Sequence, residues 1–184
     1  MKLEGVEITK AESIAAGTTL PPPYSGAAAI GPLPAHCRVD GMINRRKGVD
    51  GEEFGIGFDI ALPDKNAWNV DFMMQGGGGG NGSVAYPTGA NYTGDKPALA
   101  RGFAVASTDT GHKAKTGAFD FSFMRDQQAY LDFAFLAPRP GCRLFPKRSS
   151  VDRLQDKRDH ITEVCGQRNI ARRIWLTRDH PRRR

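Results

Sequence analysis

No stretch of this chain reaches 18 consecutive apolar residues, so the sequence holds no pattern for a membrane-spanning helix. Its first ten residues contain no apolar run, and no signal peptide is legible in them. Cysteine is scarce: Cys37, Cys142 and Cys165 form an odd set without Cys-x-x-Cys spacing. That set offers neither a zinc site nor, by itself, a disulfide framework, and no metal is expected. Two catalytic signatures are also missing. Without Gly-Lys-Ser/Thr there is no Walker loop, and without Gly-x-Ser-x-Gly there is no strained elbow to present a nucleophilic serine.

Glycine is abundant, and its placement is the most informative feature. The stretch Trp68-Asn69-Val70-Asp71-Phe72-Met73-Met74-Gln75 runs into five consecutive glycines, Gly76 to Gly80, followed by Asn81-Gly82-Ser83. A short apolar strand therefore ends in a loop that tolerates no side chains. Glycine serves where the backbone takes φ > 0 or another group approaches closely, and Gly78 is expected to be such a position. Successive free N–H groups in such a loop make an anion-binding nest.

The rest of the chain supplies strands and a few helical turns. Val6-Glu7-Ile8-Thr9 alternates as a half-buried strand, and 36–43 reads as a second. Phe54, Ile56, Phe58, Ile60 and Leu62 fall on every second residue, the cleanest strand signal present. Pro97 and Gly102 bracket a short helix over 96–102. Residues 102–109 form another strand, parallel to the one feeding the glycines, because a crossover of this length joins parallel neighbours. A helix is expected over 122–135, with Ser122 as N-cap.

Charge divides the chain in two. Residues 1–135 carry a net −3, whereas 136–184 carry +9, with 12 arginines and 2 glycines. Hydrophobic content of 39% over 184 residues supports one domain with a core. The expected organisation is 1–135 as a folded α/β region and 136–184 as an Arg-rich tail. The tail's lost periodicity resembles translation out of frame. The competing reading is a basic arm that binds nucleic acid or an acidic partner, but Phe145 and Trp175 are its only aromatic platforms.

Two chemistries compete for the glycine loop. Gly77-x-Gly79-x-x-Gly82 matches a dinucleotide fingerprint, which would make a nucleotide-dependent enzyme. A five-glycine run satisfies many such patterns, and the fingerprint needs a helix opening at the third glycine, for which Ser83-Val84-Ala85-Tyr86-Pro87 is poorly suited. The alternative is an oxyanion loop, a glycine-rich turn after a strand that stabilises the tetrahedral intermediate of acyl transfer.

A wider set of segments favours the second chemistry. Leu33-Pro34-Ala35-His36-Cys37-Arg38-Val39, Trp68-Asn69, Gly76 to Gly79 with Asn81-Gly82-Ser83, Pro97-Ala98-Leu99-Ala100-Arg101-Gly102-Phe103-Ala104-Val105, and Ser107-Thr108-Asp109-Thr110-Gly111-His112 together resemble the tannase and feruloyl esterase family over about residues 5–135. The resemblance implies the N-terminal part of an α/β-hydrolase fold and a serine carboxylesterase acting on small phenolic-acid esters. It implies no cofactor, no membrane span, and a secreted or periplasmic location. Nucleic acid would meet such a chain only non-specifically, through the tail. The resemblance also implies oxyanion donors at Gly76, Gly77, Gly78 and Gly79, supporting or turn-closing roles for Asp109 and His112, and a disulfide from Cys37. The family's nucleophile lies in a Gly-Cys-Ser-Thr-Gly-Gly elbow that this chain lacks. No catalytic residue is therefore identifiable, and the chain is expected to stop short of the catalytic triad and to be inactive alone. One frame over, Cys165 to Trp175 permits codons that echo that elbow. A triad of Ser83, Asp109 and His112 can be forced onto the sequence, but nothing local supports Ser83.

Overall fold

The computed structural model describes residues 5–22, 25–69, 71–90, 96–117 and 119–137. Five strands form one sheet: β1 (Val6–Ile14), β2 (His36–Lys47), β3 (Glu53–Pro63), β4 (Phe72–Gln75) and β5 (Ala104–Thr108). Their spatial order is β1-β2-β3-β5-β4. The first three run antiparallel, β3 pairs antiparallel with β5, and β4 pairs parallel with β5. The parallel pair is the one the crossover length predicts. The strands beginning at Val6 and His36 extend well past their expected ends.

Period-two alternation places Phe54, Ile56, Phe58, Ile60 and Leu62 on one face of β3, and residues Phe54 to Pro63 are all buried. That face builds the main core with Val39, Ile43, Ala104, Ala106 and Ala137, against which Trp68, Phe72, Met74 and Leu136 pack. On the other face Ala61 and Val105 contact Ala98 and Leu99. Covering both faces of β3 explains why its second set of residues is small or polar: Gly55, Gly57, Asp59 and Ala61.

The helical expectations need correction. Over 96–102 only one 3-10 turn forms, Leu99–Arg101, closed by Gly102 in the left-handed conformation (φ 87°). Over 122–135 there is no continuous helix. A 3-10 turn (Ser122–Arg125) leads into α1 (Gln127–Leu131) and then a π-helical turn (Asp132–Leu136). Asp126, not Ser122, is the N-cap, accepting the Ala129 N–H at 2.8 Å. The Asp126 carboxylate also accepts the Val49 N–H (3.0 Å), while Arg46 bridges Asp126 (3.2 Å) and the buried Asp132 (2.8 Å). The start of the helix is thus set by a tie to the β2–β3 turn, a long-range contact that no local cap preference encodes.

Ala137 is 1% exposed and belongs to the core, so the fold runs past residue 135. The expected tail lies outside the described residues from 138 onward. Among the described residues no helix is long and apolar enough to cross a membrane.

Candidate active site

β4 ends on Gln75, and the chain leaves the sheet there as an exposed loop over 76–79. Positive φ falls on Gly79 (59°) and Gly82 (82°), not on Gly78. A Cβ on Gly78 would meet no protein atom within 4 Å, so the positive φ expected as one of two reasons for glycine there is absent; a Cβ on Gly77 would lie 2.5 Å from the Asn81 side chain. The run of glycines therefore combines one packed position, one left-handed position and one open position.

The loop is stapled to the end of β5. Asn81 Nδ2 donates to the Thr108 carbonyl (2.6 Å), the Gly82 N–H to the Asp109 carbonyl (3.1 Å), and the Thr110 hydroxyl to the Gly80 carbonyl (3.3 Å). Within the loop, Asn81 N–H donates to the Gly78 carbonyl (3.0 Å). Among the described residues the N–H groups of Gly77 and Gly78 have no acceptor. Both residues line a cavity of about 480 Å³ shared with Gln75, Gly76, Asn81 and Ser83. Two adjacent uncommitted donors beside a cavity, at the C-terminal end of a strand, suit an oxygen that acquires negative charge during reaction.

The dinucleotide alternative loses its structural requirement. No helix opens over residues 83–89, directly after Gly82, so no helix dipole starts at the third glycine of the fingerprint.

Asp109 and His112 follow β5, and the structure does not join them to each other. Asp109 Oδ1 accepts the N–H groups of Gly57 (2.9 Å) and Gly111 (2.8 Å). Burial pushes its carboxyl up to about 6, and the two N–H bonds work against that rise. His112 is 3% exposed and stacks on Phe123 with ring centroids 3.7 Å apart. Neither ring nitrogen has a hydrogen-bond partner among the described residues, and burial lowers its pKa against the opposing charge of Asp120. No Asp–His hydrogen bond forms, so a triad of Ser83, Asp109 and His112 is not assembled. Asp109 instead closes the end of β5 onto β3.

Sequence reasoning left the polar side of the sheet unread. His36 Nδ1–H donates to the Pro34 carbonyl (2.7 Å), so its Nε2 accepts from the Tyr86 hydroxyl (2.7 Å). Arg38 stacks its guanidinium over the Tyr86 ring, 4.6 Å from the centroid, and pairs with Asp59 at 2.8 Å. Burial drives the Asp59 carboxyl up to about 7 even though Arg38 opposes it. Cys37 is disulfide-bonded; Cys142 and Cys165 lie outside the described residues. No group of three or more His, Cys, Asp or Glu able to hold a metal occurs among the described residues.

The mixed sheet, with its glycine loop at the end of β4, is consistent with part of the α/β-hydrolase fold of the solved esterases it resembles. Feruloyl esterase B from Aspergillus oryzae superposes with a TM-score of 0.56 at 20% identity, covering 78% of this chain and 26% of that one. A second Aspergillus oryzae esterase gives 0.51 at 20% identity, over 72% and 24%. Residues 37–140 match the tannase and feruloyl esterase family, and the chain belongs to it. Among curated relatives it is 38% identical over 128 residues to a mono(2-hydroxyethyl) terephthalate hydrolase from Piscinibacter sakaiensis, which is 66% of this chain and 20% of that protein. It is 33% identical over 138 residues to an uncharacterized esterase from Xanthomonas campestris, covering 74% and 21%. The chain spans about a fifth of the length of these relatives.

Proposed function

We propose that this chain is the oxyanion-bearing N-terminal part of a carboxylic ester hydrolase that cleaves phenolic-acid esters. The observation that carries the reading is the pair of uncommitted N–H groups at Gly77 and Gly78 beside the cavity. In such an enzyme a serine hydroxyl attacks the ester carbonyl, the carbonyl oxygen becomes an oxyanion, and the loop's N–H groups donate to it. The intermediate then collapses by expelling the alcohol, and water releases the acid. Removing one such donor costs about 2.7–4 kcal/mol of transition-state stabilisation. The nucleophile, acid and base are assigned to residues this chain does not carry, and the Arg-rich residues beyond Ala137 to a tail outside the chemistry.

The test has two arms. The chain alone should turn over neither methyl ferulate nor methyl gallate above a denatured control. A chimera carrying residues 37–140 in place of the matching segment of the terephthalate-ester hydrolase should retain hydrolysis of mono(2-hydroxyethyl) terephthalate to within about tenfold. Robust turnover by the chain alone that Ser83→Ala abolishes would move the nucleophile to Ser83 and overturn the reading. So would a folded chimera with no activity.

A further inference from the structure

Glycines cannot hold their own position. Gly76 to Gly80 contribute no side-chain contact, and glycine loses more conformational freedom on ordering than any other residue. Information about where the N–H groups of Gly77 and Gly78 sit must come from around them: from Asn81 and Gly82, stapled to the end of β5, and from the two ends of the loop. One end is the backbone of β4. The other is the returning segment 85–89, and among the described residues one side chain hydrogen-bonds across the two.

That side chain is Gln75. It is 6% exposed, borders the cavity, and uses both ends of its amide. Its Oε1 accepts the Gly89 N–H at 2.6 Å, and its Nε2 donates to the Tyr86 carbonyl at 3.2 Å. The segment it grips is anchored from behind as well. The Ser107 hydroxyl donates to the Ala85 carbonyl, and Tyr86 is held by His36 and Arg38. The pairing register puts Gln75 directly beside Ser107. The return segment is therefore clamped at Ala85, Tyr86 and Gly89 from the polar face of the sheet, and among the described residues Gln75 is the side chain whose hydrogen bonds span both ends of the loop.

We propose that Gln75 is a positioning residue, a clasp that closes the loop over 76–88 and fixes the glycine N–H groups for the oxyanion; this rests on the reading proposed above. The side-chain chemistry is specific. One contact needs an acceptor and the other a donor, which an amide supplies at once. An ionised glutamate has acceptors only and repels the Tyr86 carbonyl. A protonated glutamate supplies both roles again. Gln75→Glu is accordingly a clasp that pH opens and closes, while Gln75→Met keeps the length and removes both bonds.

The experiment follows the backbone amide resonances of Gly77 and Gly78 in the ¹⁵N-labelled full chain. In Gln75→Met these resonances should move away from wild type at every pH, while those of Ile43 and Ile56 stay in place. In Gln75→Glu they should be displaced at pH 8 and return to wild-type positions as the glutamate protonates, with a midpoint above the usual glutamate range because the site is buried. Unmoved glycine resonances in Gln75→Met, or a displacement in Gln75→Glu that pH does not reverse, would overturn the clasp. If Gln75→Met fails to fold, the Gln75→Glu titration decides alone. Gln75→Met in the chimera separates the two levels: the clasp acting through the oxyanion lowers kcat about tenfold with KM little changed. Displaced resonances with an unchanged kcat would keep the clasp and sink the oxyanion reading beneath it.

Discussion

Two neighbouring rows of side chains cross the same five strands and face opposite ways. Ala11, Val39, Ile60, Ala106 and Met74 lie side by side on one face; Lys10, Asp40, Asp59, Ser107 and Gln75 lie side by side on the other. The first row is apolar throughout. In the second, Asp59, Ser107 and Gln75 are all 6% exposed or less. Burying polar groups is costly unless each finds a partner. Here the partners belong to the segment that returns from the glycine loop, or to Arg38 beside it, and only Asp59 Oδ1 lacks one among the described residues of this row. The apolar row holds the sheet together without caring about detailed geometry. The polar row gives up some of that stability and in return ties one loop, and only that loop, to the sheet.

The largest effect should come from the apolar row. Ile60 is 6% exposed in the main core. Ile60→Ala should lower unfolding free energy by about 2–4 kcal/mol, from lost burial and the cavity left behind. The loss should be equal at pH 5 and pH 8 in urea denaturation, because no titrating group changes. A loss under about 1 kcal/mol would mean that the polar row, not this one, supports the sheet.

Asp59→Asn should produce a smaller change of a different kind. The folded-state pKa of Asp59 is raised to about 7 from an ordinary 3.8, with burial the largest cause. The folded protein therefore binds the proton more tightly than the unfolded chain. Its contribution to stability is complete below about pH 4 and is lost as pH rises through about 7. Asparagine cannot titrate. The stability of wild type relative to Asp59→Asn should fall by roughly 2 kcal/mol between pH 5 and pH 7 and then level off. Taking the difference removes Asp109, His36 and His112, which are present in both proteins. A flat difference across that range would show Asp59 to be ionised throughout, held by Arg38 despite its burial.

This contrast also shows what the sequence could and could not disclose. Period-two alternation from Phe54 to Leu62 made β3 legible, and the abrupt change from Met74 to the glycines marked the loop. Both are local signals. The polar row is not local, because Asp40, Asp59, Ser107 and Gln75 become neighbours only when register aligns four strands. Gln75 did break the apolar pattern of its strand, and that one polar residue was the available signal. The helix over 122–135 failed for the same reason: Asp126 is tied to Arg46 and Val49, far away in sequence. Asp109 and His112 were legible as a turn after a strand, yet their separation from each other depends on Gly57 and Phe123.

The smallest effect on stability should come from inside the glycine loop, where sequence alone made every glycine look equally necessary. Gly82 has φ of +82°, and a Cβ there would lie 2.6 Å from the Ala114 Cβ and 2.7 Å from its backbone nitrogen. Gly82→Val should be destabilising by about 1–3 kcal/mol, since valine resists that conformation and the neighbour is backbone. Gly78 is different: its backbone is not left-handed, and a Cβ meets nothing within 4 Å. Gly78→Val in the full chain should therefore change unfolding free energy by less than about 0.5 kcal/mol. It should nevertheless matter for chemistry, because Gly78 lines the cavity and a branched side chain beside its N–H crowds the position of an oxyanion. In the chimera, kcat should fall well below that of the glycine version while KM moves little, as befits a donor that acts mainly in the transition state. A rise in KM at constant kcat would make the loop a ground-state binding element. A melt as damaged as that of Gly82→Val would mean that the openness at Gly78 is not a property of the folded protein, and the division of labour between the two glycines would collapse with it.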